Sequence, residues 1–305
     1  MTKGKIILVS ILAFLLLVVS VLFGLVFRLR KQTVSFIENE PRTEMTLDIT
    51  KEQIISAAKL KNGGSIFMLD KDKAIKNIES EYPFLKVVQI KTKSLTKVEI
   101  ILQERHKLLY TTYNNANDGK THYYIMDKDL KILLTDSIDT EEYELIKDDR
   151  VEMSRILKGN YIYIDGSNFK INNETKQFDC IGDESTREII SEMYNEIYRY
   201  AKINGEYLNL TQIRDMVTEL KFDVGYTANG SAPHKRLILK INLYSETLDK
   251  NCEYILDIAK PEKDLGEKIN TCFSAVNKYL QDKDTGRISY YLSANGEGQY
   301  GYFAE

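Results

Sequence analysis

The order of apolar and polar positions divides the chain into three stretches of different character. Ile6 to Phe27 is a run of 22 residues without a charge. As a helix rising about 1.5 Å per residue it spans roughly 33 Å, enough to cross a bilayer. A cleaved signal peptide has an apolar region of about 7–15 residues that ends in a small-x-small site. This run is longer and ends in Phe27-Arg28-Leu29-Arg30-Lys31. The expectation for 1–31 is a short tail and an uncleaved transmembrane anchor.

From 32 to 105 the periods are short. Val34–Ile37 and Met45–Ile49 have strand character. Thr50 with Gln53 forms a capping-box signature before Ile54, Ile55 and Ala58 on one helical face. Lys61-Asn62-Gly63-Gly64 stops that helix. Asp70 is placed to cap a second helix with Ile75, Ile78 and Tyr82, which Pro83 ends. Strands over Leu85–Ile90 and Val98–Leu102 follow, the latter alternating Val98, Ile100 and Leu102. Two amphipathic helices over one face of a three-stranded sheet satisfy both apolar surfaces.

From 106 onward the pattern predicts a hairpin of Tyr123–Met126 and Leu130–Leu134 around Asp127-Lys128-Asp129. It predicts a second hairpin of Tyr161–Ile164 and Phe169–Ile171 around Asp165-Gly166. Three periodic helices come next. The first carries Ile189, Met193 and Ile197. The second is capped by Asn209 and Gln212 and carries Ile213, Met216, Val217 and Leu220. The third is capped by Asp264 and Glu267 and carries Leu265, Ile269, Cys272, Phe273, Val276, Tyr279 and Leu280. Strands fall near Phe222–Thr227, Leu237–Tyr244, Glu253–Ile258 and Ile288–Leu292. A flexible tail is expected after the last of them. The fold class is therefore α+β.

Charge changes the picture in one respect. Of 42 basic residues, Lys3, Lys5, Arg28, Arg30 and Lys31 lie in 1–31, which holds no acid. The remainder has 37 basic and 45 acidic residues, a formal charge of −8. An acidic body is a poor match to nucleic acid or to anionic lipid, which disfavours both, and no nucleic acid is expected as partner. The basic residues flank the apolar run almost equally and do not decide its orientation.

Candidate chemistry is sparse. Gly296-Glu297-Gly298-Gln299-Tyr300-Gly301 matches GxGxxG literally, yet too few residues follow it to start a phosphate-binding helix. His106, His122 and His234 are isolated from one another. Cys180, Cys252 and Cys272 have no metal-ligand spacing. A Cys252–Cys272 bridge and burial of Cys272 as a small hydrophobe are both open readings. No catalytic residue, cofactor or metal ligand is assigned.

Several features together resemble a known family. These are the order of elements, Gly64-x-Ile66-Phe67-x-Leu69-Asp70, Pro83-Phe84-Leu85-Lys86-x-Val88-x-Ile90 and Val98-x-Ile100-x-Leu102-x-Glu104-Arg105. They resemble the POTRA domain of the FtsQ/DivIB cell-division proteins. Tyr123–Leu134, Glu267-Lys268 and Asp284–Ile288 extend the similarity into the last unit. The resemblance implies an anchor over 1–31, a β-α-α-β-β POTRA domain over 32–105, and a mixed antiparallel β domain with flanking helices over 106–305. The body would lie outside the cytoplasmic membrane, at the division septum. The implied role is a non-enzymatic scaffold joining divisome membrane proteins, including small bitopic coiled-coil proteins and the septal peptidoglycan synthase complex. Glu104-Arg105 is expected as a surface pair. Ile288, Ser289, Tyr290, Tyr291 and Leu292 are the candidate partner-binding residues, as an edge strand open to β-augmentation, with a terminal strand that only completes the sheet as the equal alternative. The alternatives are a POTRA-type envelope transport or sporulation-complex subunit, and an anchored envelope enzyme.

Overall fold

The computed structural model describes residues 3–37, 42–226, 233–292 and 298–303, with side chains for 10–21, 27–37, 42–43, 45–167, 169–225 and 233–288. The chain divides into two compact units, Met1–Arg105 and His106–Glu305.

The first unit begins with helix α1 (Lys3–Val26). Its described side chains, Ser10–Val21, are exposed. At about 1.5 Å per residue they cover roughly 18 Å, against the 30 Å or so of a bilayer core. Among the described residues no helix is long and apolar enough to cross a membrane. Side chains 6–9 and 22–26 of the expected Ile6–Phe27 span lie outside the described ones.

Strand β1 (Lys31–Phe36) follows, then α2 (Glu44–Leu47), α3 (Lys51–Ala58), a 3-10 turn over Ile66–Met68, α4 (Lys71–Glu81), β2 (Leu85–Ser94) and β3 (Lys97–Glu104). The sheet order is β1-β3-β2, with β1 parallel and β2 antiparallel to β3. A parallel neighbour requires a long crossover, and α3 and α4 supply it. Their apolar stripes, with Ile54, Ala57, Ala58, Ala74 and Ile78 buried, close on Val34, Leu85, Val98, Ile100 and Leu102. The expected caps form: Thr50 and Gln53 make a reciprocal capping box, and the Asp70 carboxylate accepts from Lys73 N–H. Gly63 takes φ +82°, a conformation that L side chains rarely adopt.

Met45–Ile49 corrects the strand expectation, because α2 occupies Glu44–Leu47. The cause is a tertiary tie. The Glu104 carboxylate accepts from Thr43 N–H and from the Thr43 and Thr46 hydroxyls, which winds the segment onto the end of β3.

The second unit contains β4 (Leu109–Asn115), β5 (Lys120–Met126), β6 (Ile132–Asp139), α5 (Thr140–Ile146), α6 (Arg150–Leu157), β7 (Ile162–Ile164), α7 (Glu184–Tyr200), β8 (Lys202–Ile203) and β9 (Glu206–Tyr207). It continues with α8 (Leu210–Met216), β10 (Val217–Tyr226), β11 (His234–Ser245), β12 (Lys250–Ala259), α9 (Leu265–Tyr279), β13 (Thr285–Leu292) and β14 (Gly298–Phe303). Among the described residues nine strands form one mixed sheet in the order β14-β13-β12-β11-β10-β7-β4-β5-β6, and β8 pairs with β9. The β4/β7, β7/β10 and β12/β13 pairs are parallel.

One face of this sheet carries the main core, which α7, α8 and α9 close with Ile189, Ile197, Ile213, Ile269 and Phe273. Cys252 and Cys272 are both buried in it and both free, so the bridge reading gives way to burial. Burial pushes the Cys272 thiol up to about 12. A smaller apolar cluster lies beneath α5 and α6, on Tyr123, Ile125 and Tyr161.

Four further expectations are corrected. The Asp165-Gly166 stretch is not a hairpin: Gly166–Asn168 forms a 3-10 turn, and β7 sits between two parallel neighbours. Val217 and Leu220 belong to β10, since hydrogen bonds to β7 and β11 outweigh a periodicity shared with α8. Asp264 has φ +51° and no side-chain cap bond, so it does not cap α9. The expected flexible tail contains β14, antiparallel to β13.

Candidate interaction surface

The sheet places β13 by way of α9. The helix runs back across the sheet so that β13 lies parallel to β12, with Leu256 opposite Ile288 and Asp257 opposite Ser289. Lys268 holds the start of this crossover, its buried ammonium donating to the carbonyls of Ala259 (3.1 Å) and Lys260 (2.8 Å). Desolvation lowers its pKa. Ile288 is fully buried in the main core, and Gly286 is buried at the start of the strand. The side chains of Ser289, Tyr290, Tyr291 and Leu292 lie outside the described ones.

The edge-strand premise for these residues needs correction. β14 runs antiparallel along the outer side of β13, from Arg287 opposite Phe303 to Leu292 opposite Gly298. The backbone edge expected to be open is taken by the chain itself, and the sheet terminates in β14 and β6.

Beside β13, the sheet face turned away from the main core is charged. Alternation along β10–β12 puts Glu219, Lys221, Asp223, Arg236, Lys240, Glu253 and Asp257 there. Arg236 donates through Nε and Nη2 to the Asp257 carboxylate, each side chain 11% exposed. Arg287 Nε lies 3.9 Å from the same carboxylate. Lys240 meets Glu253 at 3.1 Å in a more exposed pair. The arrangement presents fixed, mutually neutralised charges and joins no nucleophile to a base. Among the described residues, no group of His, Cys, Asp and Glu side chains could hold a metal ion.

Across β7 and β4 the same face becomes aromatic. Tyr110 and Tyr163 have ring centroids 5.3 Å apart, and the Tyr143 hydroxyl of α5 lies 3.3 Å from Thr112 Oγ1. Burial raises the phenols of Tyr110, Tyr161 and Tyr163. Tyr123 is pushed up to about 12, first by burial and then by the Asp136 carboxylate.

Residues 45–105 match the FtsQ-type POTRA domain, a span from the start of α2 to the end of β3. The chain is 32% identical over 126 residues to cell division protein DivIB of Clostridium acetobutylicum, covering 41% of this chain and 47% of that protein. The chain is thus similar to the FtsQ/DivIB proteins over an FtsQ-type POTRA domain and part of a DivIB sequence. It spans about half the length of that curated relative.

The FtsQ-type domain ends on Glu104-Arg105, and the structure overturns the surface reading of that pair. Glu104 is 7% and Arg105 8% exposed. Arg105 Nη2 donates to Glu79 Oε2 (3.1 Å), while Glu79 Oε1 accepts from Val87 N–H (2.8 Å). One residue fastens α2 and the next fastens α4 to β2. A buried carboxylate surrounded by donors and a buried guanidinium with its counter-ion satisfy the demands of burying charge. Arg236 and Asp257 were not singled out from the sequence. The signal was an acid inside the apolar run Ile255-Leu256-Asp257-Ile258.

Proposed function

We propose that the protein is a non-enzymatic bitopic scaffold of the bacterial divisome, linking division proteins and regulating septal peptidoglycan synthesis. The FtsQ-type POTRA match and the similarity to a DivIB protein support a cell-division role. The observation that carries the reading is an FtsQ-type POTRA match over 45–105, in a unit whose first strand, β1, starts five residues after the end of α1. In this reading Ile6–Phe27 anchors the chain, with the amino terminus inside and the body extracytoplasmic. Partners are other divisome membrane proteins, among them small bitopic coiled-coil proteins and the septal peptidoglycan synthase complex. A fluorescent fusion in dividing cells tests it. A mid-cell band is expected, and a uniform membrane signal would overturn it.

Ile288–Leu292 is the proposed partner strand, with a condition added by β14: an incoming strand must replace β14 to pair with β13. Truncation after Leu292 should strengthen capture of divisome partners, and truncation after Gly286 should abolish it. Unchanged capture by a folded Gly286 truncation would sink the strand-pairing route.

A further inference from the structure

The end of the first unit next to α1 exposes three large apolar side chains on two separate loops. Phe67 is 66% and Met68 85% exposed, although their neighbour Ile66 is buried in the core. Leu95, in the turn between β2 and β3, is 53% exposed. Both loops are bonded to the residues that leave the charge-free run. Ile66 N–H donates to Phe27 O (2.8 Å), and Leu29 N–H donates to Gly64 O (2.9 Å). Arg30 N–H donates to Thr96 O (2.8 Å). The Phe67 ring packs 5.1 Å from that of Phe27, the last residue of the run. The apolar tips therefore sit where α1 hands over to the sheet.

The charge around them has one prevailing sign. Arg28, Arg30, Lys31 and Lys61 are exposed beside the tips. Glu99 is engaged by Lys91 and Lys93, and Asp70 caps α4. The rest of the chain is acidic, so this basic collar runs against the overall balance. Apolar side chains ringed by Lys and Arg are what the boundary between acyl chains and anionic headgroups accepts.

We propose that Phe67, Met68 and Leu95 seat this end of the first unit in the headgroup boundary of the membrane that holds α1, with Arg28, Arg30, Lys31 and Lys61 meeting lipid phosphates. The inference rests on the anchor reading of Ile6–Phe27 and goes beyond it. A tether alone leaves the folded unit free to swing, whereas a seated tip fixes its tilt and height.

The chain contains no tryptophan, so single substitutions report without background. Phe67→Trp, Leu95→Trp, Leu47→Trp and Leu16→Trp would be made in the full chain. Each would be reconstituted in phosphatidylethanolamine–phosphatidylglycerol vesicles with brominated acyl chains. Leu47, 57% exposed, lies on α2 at the Glu104 end of β3, seven residues or ~20 Å from the Lys97 end. The expected result is deep quenching at position 16, shallow quenching with a blue shift at 67 and 95, and neither at 47. Quenching at 16 with positions 67 and 95 behaving like 47 would overturn the seat and leave the anchor standing. No quenching at 16 would overturn the anchor reading, and the seat with it. Met68→Trp serves as a second reporter should the Phe67 variant misfold, and quenching there carries the same meaning.

Discussion

The face of the nine-stranded sheet turned away from the main core has two halves that solve one problem differently. Over β5, β4 and β7 the outward positions are Tyr123, Ile125, Tyr110 and Tyr163, and the α5–α6 pair closes on them with Met153 and Leu157. Over β10–β12 the corresponding positions carry Glu219, Lys221, Arg236, Lys240, Glu253 and Asp257. Ile238 and Ile255 stand among them half-buried, and neither joins an apolar cluster of the described residues. Apolar area drives helices onto the first half. In the second, cross-strand ion pairs shield the isoleucines without a covering layer. Which residues alternate outward decides whether a sheet face is roofed.

Four measurements would test that contrast. Ile125→Ala should have the largest effect, about 2–5 kcal/mol of stability in denaturant unfolding. Ile255→Ala in the charged half should cost about 1 kcal/mol. Equal losses would erase the distinction. Asp257→Ala should cost about 3 kcal/mol, because it removes the carboxylate that pairs with the Arg236 guanidinium in a site nearly closed to water. The double change Arg236→Met with Asp257→Leu should be close to neutral, which separates the cost of removing one partner from the worth of the pair.

Alkaline titration should come third. A phenol raised to about 12 when folded and near 10 when unfolded stays protonated longer in the native state. Its stabilising contribution is complete below pH 10 and is lost as pH rises toward 12. Tyr123→Phe should flatten the fall over that window by at most about 1.4 kcal/mol per pH unit. An unchanged slope would show that Tyr123 is not held off from water. The smallest effect belongs to Lys240→Ala, about 0–1 kcal/mol and weaker at high salt, as for any exposed pair.

Legibility followed the range of the interactions involved. The capping boxes at Thr50 and Asn209 and the cap at Asp70 were visible because each is completed within three residues. The Tyr123–Leu134 hairpin was visible because its two strands are neighbours in sequence joined by one short aspartate turn. β4 was not, since its pattern is short and its partners are a hairpin strand and the distant β7. Neither were α5 and α6, whose short helices owe their stability to the tyrosine face beneath them. The candidate strand β13 was located correctly in the chain, yet its edge was misjudged because Gly296–Gly301 reads as a turn-rich tail. Glu104 and Arg105 look like a surface pair until the Thr43 hydroxyl and Glu79, 61 and 26 residues away, come into contact with them.

The parallel pairing of β1 with β3 has a mechanical consequence. The apolar helix enters at the start of β1, and the second unit leaves from the end of β3, so the two attachment points lie at opposite ends of the ladder from Lys31–Lys97 to Phe36–Leu102. Tension between them slides one strand along the other and strains all these pairings together. Pulling on Leu85 and Glu104, which face each other at one end of the antiparallel β2–β3 pair, would instead peel bonds apart singly. In single-molecule pulling we expect a clearly higher rupture force for the first geometry, and equal forces would refute it. A chain fixed at one end and drawn on at the other would carry load through its small unit in the orientation that resists it best.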